Sequence, residues 1–190
     1  MNIILIRHGE TEDNRKGVIY GQADRSLSDI GKKQAQQAAL LLKDEKIDFI
    51  YSSDLGRCIE TAEVIARYHS HITLATTPLL REISGGRASK LPLRLSPRLL
   101  SQAVRVALLL NFTVPSGESW SNVKSRIRNF LNELYTVHPD ATVLLVTHNV
   151  AIQATHSLLK QPGEKEIRGK TVPNCSISNF VMHDSLLDSN

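Results

Sequence analysis

Ile3-Ile4-Leu5-Ile6-Arg7-His8-Gly9-Glu10-Thr11 is the stretch on which the reading of this chain turns. A four-residue apolar run closed by polar residues has the pattern of a buried strand. The run passes directly into Arg7 and His8, so a guanidinium and an imidazole stand where the strand ends. In open α/β sheets, ligands bind beyond the carboxyl ends of the strands. Neutral imidazole is a competent nucleophile near pH 7, and the forked guanidinium matches phosphate oxygens. The pair points to phosphoryl transfer through a phosphohistidine. Its competitor is a strand-end histidine in a surface loop, with Arg7 in an ordinary salt bridge.

A second segment repeats the pattern. Thr142-Val143-Leu144-Leu145-Val146 is the strongest strand of the chain, a near-continuous apolar run suited to the centre of a parallel sheet. It leads through Thr147 into His148 and then a helix from about Val150 to Leu159. If both strands are parallel and central, His8 and His148 project from one sheet edge. A third piece, Ser52-Ser53-Asp54-Leu55-Gly56-Arg57, places Arg57 in the first turn of a helix after a strand, where backbone N–H groups favour an anion.

Strands and helices alternate between these pieces. Ser28 is the expected N-cap of a helix through Lys43, with Ala35, Ala38, Ala39 and Leu42 on one face. Phe49–Tyr51 reads as the second strand and Leu55 to Tyr68 as the next helix, while Ile72–Leu74 reads as a third strand. Pro115–Ser119 forms a turn into a helix carrying Val123, Ile127, Phe130, Leu131 and Leu134, and Ser176–Met182 reads as the last strand. The alternation predicts an α/β fold, a three-layer sandwich with a mostly parallel central sheet flanked by helices. Residues 1–190 read as a single domain with a lid or insertion at about 81–118, irregular to Pro97 and helical from Arg98 to Leu110 with a wide buried face.

Composition narrows the function classes. The chain has 190 residues, 41% hydrophobic and 22% charged, with a formal charge of +4. This mild basicity suits small anionic substrates, and no Lys/Arg block or aromatic-basic repeat points to nucleic acid. The apolar runs are too short for a signal peptide or a membrane span. Cys58 and Cys175, the only cysteines, form neither a disulfide framework nor a zinc spacing, and a reducing cytoplasm is the expected setting. His69-Ser70-His71 reads as a solvated loop rather than a metal pair.

In order, Arg7-His8-Gly9-Glu10-Thr11 with Asn14, Gly21-Gln22 with Asp24, Leu27-Ser28, Ser52-Ser53-Asp54-Leu55 with Arg57, Leu80 with Glu82, Ser116-Gly117-Glu118-Ser119, Thr147-His148 and Asn174-Cys175-Ser176 resemble the histidine phosphatase superfamily. The similarity is to its branch of phosphoglycerate mutases, bifunctional-type fructose-bisphosphatases and α-ribazole phosphatases, and it covers nearly the whole chain. The resemblance implies a phosphoglycerate-mutase-like fold with His8 as the nucleophile. It implies a phosphate pocket of Arg7, Arg57 and His148, with Asn14 as a neutral donor and Gly21 and Gln22 alongside. It also implies Glu82 as the proton donor, no metal and no cofactor. Glu10 is expected to orient rather than to protonate.

The chain departs from the pattern at two places. Ile83-Ser84-Gly85-Gly86-Arg87-Ala88-Ser89-Lys90 replaces a Trp-Glu-Gly-like stretch, and Asn149 stands where most relatives carry glycine. The leading expectation is a cofactor-independent phosphomonoesterase acting on a small anionic phosphate ester. A phosphoglycerate mutase and a catalytically weak phosphate- or phosphoprotein-binding module are the alternatives. The sequence identifies neither the substrate's organic half nor the oligomeric state.

Overall fold

The computed structural model describes residues 1–18, 21–86, 102, 106–113, 115–184 and 186. Five strands form one sheet: β1 (Asn2–Arg7), β2 (Phe49–Ser53), β3 (Leu74–Thr77), β4 (Thr142–Thr147) and β5 (Ile177–Val181). Their spatial order is β3-β2-β4-β1-β5. All neighbours run parallel except the edge strand β5, which pairs antiparallel with β1. Helices are α1 (Glu12–Arg15), α2 (Asp29–Leu42), α3 (Gly56–Ala66), α4 (Trp120–Val137) and α5 (Asn149–Leu159).

Strand alternation distributes the core. Ile3, Leu5, Val143 and Leu145 face one side of the sheet and pack with Val123, Ile127 and Leu131 of α4 and Ala151 and Ile152 of α5. Ile4, Ile6, Leu144 and Val146 face the other side, against Ala38, Ala39 and Leu42 of α2 and Cys58, Ala62 and Ile65 of α3. Because both faces are covered, β1 and β4 are apolar at successive positions rather than alternating. The three layers are therefore those expected.

Caps account for the helix starts. Ser28 Oγ accepts from Gly31 N at 3.0 Å ahead of α2. Ser119 and Asn122 form a reciprocal capping box ahead of α4. All five apolar residues expected to be buried on α4 are buried.

Three local expectations are corrected. The third strand starts at Leu74 rather than Ile72, because Ile72 N closes a turn onto His69 O at 2.8 Å and pairing with β2 begins at Ile50↔Leu74. His69 is buried rather than solvated, its Nε2 lying 3.0 Å from Leu42 O at the end of α2. Within the expected helix 98–110, residues 106–109 are helical; Leu108 is buried but Val106, Leu109 and Leu110 are exposed, so no wide buried face is present in this part. Half of the expected lid, including Arg87 to Lys90, lies outside the described residues. Among the described residues, no helix is long and apolar enough to cross a membrane, and no group of three or more His, Cys, Asp or Glu is placed to hold a metal.

Candidate active site

The register of the sheet builds the site. β1 and β4 are adjacent and parallel, with Arg7 opposite Thr147, so His8 and His148 leave the sheet side by side. Their ring centroids are 5.1 Å apart. His8 N donates to Thr147 O at 3.0 Å, locking the two strand ends together.

The His8 ring is held in one tautomer. Its Nδ1 lies 2.7 Å from Gly9 O, which can only accept, so Nδ1 carries the proton and Nε2 is left with its lone pair. Burial, then the nearby Arg7 and Arg57 charges, hold its pKa well below the ordinary histidine value. His8 is thus neutral near pH 7, the state in which an imidazole can act as a nucleophile.

Gly9 and Glu10 pass so close to α2 that a Cβ on Gly31 would lie 2.0 Å from Glu10 O. Glu10 Oε1 accepts from Ser28 Oγ at 2.9 Å, and Glu10 N donates to Gln34 Oε1 at 2.8 Å. Glu10 therefore ties the His8 loop to the start of α2.

Arg57 is 1% exposed. Its Nη1 and Nη2 donate to Ala23 O and Gly21 O, both at 2.9 Å, and Nε faces His148 Nδ1 at 3.3 Å. An arginine has no acceptor to offer, so His148 Nδ1 must be unprotonated. His148 Nε2 then donates to Ser53 Oγ, 2.9 Å away. His148 is fully buried, and burial, followed by the neighbouring His8 imidazole and the Arg57 charge, keeps its pKa well below the usual value. It stands behind His8 and Arg57 rather than on the cavity wall.

The α3 start does not present the Gly56 amide for an incoming anion. The Asp24 carboxylate accepts from Gly56 N at 2.7 Å and occupies that donor. Arg7 Nη1 donates to Val172 O, and Asn174 Nδ2 donates to His8 O at 2.9 Å.

Glu82 sits across the same cavity. Its Oε1 accepts from Ile83 N at 2.9 Å and from Val150 N, in the first turn of α5, at 3.1 Å. Those donors and the two arginines favour the carboxylate, yet burial outweighs them and raises its pKa above the ordinary glutamate value. Arg81 does not pair with it; that guanidinium grips Asp54 through two bonds of 2.7 and 2.6 Å.

A cavity of about 310 Å³ joins these groups. Of the residues singled out in the sequence, Arg7, His8, Asn14, Gly21, Arg57 and Glu82 line it. Gln22 does not line it; its amide donates to Glu82 O at 2.8 Å and braces that segment. Asn14 Oδ1 accepts from Thr11 N at 3.1 Å, which leaves its Nδ2 as the donor for a ligand. Gln153, Gly169, Lys170 and Thr171 also line the cavity and were not anticipated. The signal available for Gln153 was an amide set between the apolar residues Val150-Ala151-Ile152 and Ala154.

One strand-end histidine with a second packed behind it, two buried arginines and a carboxyl of raised pKa thus gather at one cavity of an α/β protein. The family model of the histidine phosphatase superfamily (branch 1) matches residues 3–187, and the chain belongs to that superfamily. A probable phosphoglycerate mutase GpmB of Proteus mirabilis is 35% identical over 189 residues, covering 97% of this chain and 86% of that protein. Among solved structures, a mycobacterial glucosyl-3-phosphoglycerate phosphatase superposes with a TM-score of 0.74 at 28% identity, over 94% of this chain and 88% of the other. A phosphoglycerate mutase from Bacillus anthracis superposes with a TM-score of 0.75 at 26% identity, over 94% and 86%.

Proposed function

We propose that the chain is a cofactor-independent phosphomonoesterase working through a phosphohistidine at His8 Nε2. The observation that carries the reading is the pairing, in one cavity, of a histidine held neutral with its free lone pair on Nε2 and a carboxyl of raised pKa. In the first half, the Nε2 lone pair attacks phosphorus and the P–O bond to the alcohol breaks. The leaving oxygen takes the proton of Glu82. In the second half, water attacks phosphorus, Glu82 takes its proton, the N–P bond breaks and inorganic phosphate leaves. Arg7, Arg57 and the Asn14 amide surround the equatorial oxygens, where charge is concentrated in the transition state. His148 keeps Arg57 in place and neighbours His8.

A mutase is the second reading, favoured by the name of the 35% identical relative. It differs only in returning the phosphoryl group to a second hydroxyl. Rapid quench with labelled substrate should trap an acid-labile, base-stable adduct that His8→Ala lacks. Steady-state assays should show phosphate release. Normal turnover by His8→Ala would overturn the mechanism, and fast interconversion of 2- and 3-phosphoglycerate with negligible phosphate release would establish the mutase.

A further inference from the structure

The wall of the cavity includes Gly169, Lys170 and Thr171. This short loop is held by more bonds than a surface turn needs. Gln153 of α5 is completely buried, and its amide serves the loop at both ends: Gly169 N donates to Oε1 and Nε2 donates to Lys170 O, each at 2.6 Å. A buried amide is costly unless both ends are bonded, and here both are spent on the backbone of Gly169 and Lys170. One helical turn earlier, Asn149 Oδ1 accepts from Val172 N at 2.7 Å, and Arg7 donates to Val172 O. Gly169 adopts φ +75°, a conformation that favours glycine. Beyond it, Arg168 donates to Leu108 O and stacks over Trp120 at 4.8 Å.

Lys170 itself makes no ion pair with a described carboxylate. Glu166, the acid nearest in sequence, faces Lys160 at 3.8 Å instead. Arg7 and Arg57 lie at the nucleophile's end of the cavity, so Lys170 adds a third cation to its described lining, against the single carboxylate Glu82.

We infer that Lys170 is a specificity-determining residue that receives a second anionic group, a carboxylate or another phosphate, on the alcohol half of the substrate, and that Gln153 is the positioning residue that sets it there. This inference rests on the phosphatase reading and narrows its substrate class.

The test compares four esters: 3-phosphoglycerate, propane-1,3-diol bisphosphate, uncharged-alcohol glycerol 3-phosphate and cationic phosphoethanolamine. Wild type should favour the first two, and the ratio between them identifies which anion the site takes. Lys170→Met should lower kcat/KM for the favoured ester about tenfold more than for glycerol 3-phosphate, as expected for loss of one charge-assisted contact. Lys170→Glu should shift preference toward phosphoethanolamine, a gain that misfolding does not produce. Gln153→Met should raise KM for the favoured ester while leaving its kcat within about threefold, the split expected when ground-state and transition-state binding are lost together.

Equal losses on all four esters, or no charge preference in wild type, would overturn the inference while His8-dependent hydrolysis left the phosphatase reading standing. If no ester is hydrolysed, the phosphatase reading fails, and calorimetric binding of 3-phosphoglycerate and the bisphosphate to the His8→Ala protein still decides the point. Affinity for the tighter of the two about tenfold weaker on adding Lys170→Met supports the inference, whereas unchanged or undetectable binding overturns it.

Discussion

At the residue scale, the site depends on two groups whose environments move their pKa values toward each other. Burial and two arginines depress His8, so it stays neutral as pH falls below the ordinary histidine range. Burial raises Glu82, so it keeps its proton above the ordinary carboxylate range. Under the proposed mechanism, turnover needs neutral His8 and protonated Glu82, so the pH profile should have an acid limb governed by His8 and an alkaline limb governed by Glu82. Glu82→Gln should abolish the alkaline limb and slow alkyl esters by about a hundredfold or more, with a much smaller loss on p-nitrophenyl phosphate, whose leaving group needs little protonation. Equal losses on both substrates would assign Glu82 to binding. Cys58 shows the same burial effect without a part in the reaction: it is fully buried and its thiol is pushed up, although Sγ lies 3.3 Å from His148 Nε2.

At the scale of elements, α2 acts as a wall behind the loop that carries His8. Gly9 and Gly31 face each other, and a Cβ on Gly9 would lie 2.6 Å from Gly31 O. Alanine favours a helix over glycine by about 1 kcal/mol. At Gly31 the contact with Glu10 should override that preference, because backbone must move to make room. Gly31→Ala should destabilise the fold by about 2 kcal/mol in urea titration and reduce turnover, through displacement of the loop that holds His8. The exposed Lys33→Ala on the same helix should stay within about 0.5 kcal/mol of wild type.

The α4 helix plays the corresponding part for Glu82. Arg126 donates to Leu79 O and Arg81 O at 2.6 and 3.0 Å, and grips the Glu118 carboxylate at 3.0 and 3.1 Å. Glu118 in turn accepts from Ser84 N at 2.9 Å. The Ser116-Gly117-Glu118-Ser119 motif therefore serves to seat the Glu82 segment. Arg126→Met should cost about 3 kcal/mol of stability, since it strands a largely buried carboxylate, and lower kcat more than it raises KM.

For the whole molecule, strand order brings these elements to one sheet edge, and the chain's charge of +4 surrounds a cavity lined by three cations and one carboxylate among its described residues. An anionic ester should be drawn toward it, and salt should weaken that attraction. KM should rise with ionic strength while kcat changes little; a KM insensitive to salt would show that the contacts inside the cavity, and not the long-range field, set affinity.

Much of this arrangement was legible from residues alone. The apolar runs 3–6 and 142–146 are long enough and β-branched or leucine-rich enough to be central strands wherever they pair, and a histidine follows each closely. Helix faces were equally plain, because Ala35, Ala38, Ala39 and Leu42 repeat with the helical period and Ser28 caps them. Local chemistry decides such features. Partners distant in sequence do not have that property. That β4 lies between β1 and β2, that Asp24 takes the Gly56 amide, that Gly21 and Ala23 offer their carbonyls to Arg57, and that Gln153 clasps Gly169 and Lys170 all follow from packing two helical layers on a twisted sheet. The same packing buries His69 and delays β3 to Leu74. Sequence by itself determined which groups could do the chemistry; tertiary structure decided which of them meet, because a buried polar atom takes the partner that the fold brings within reach.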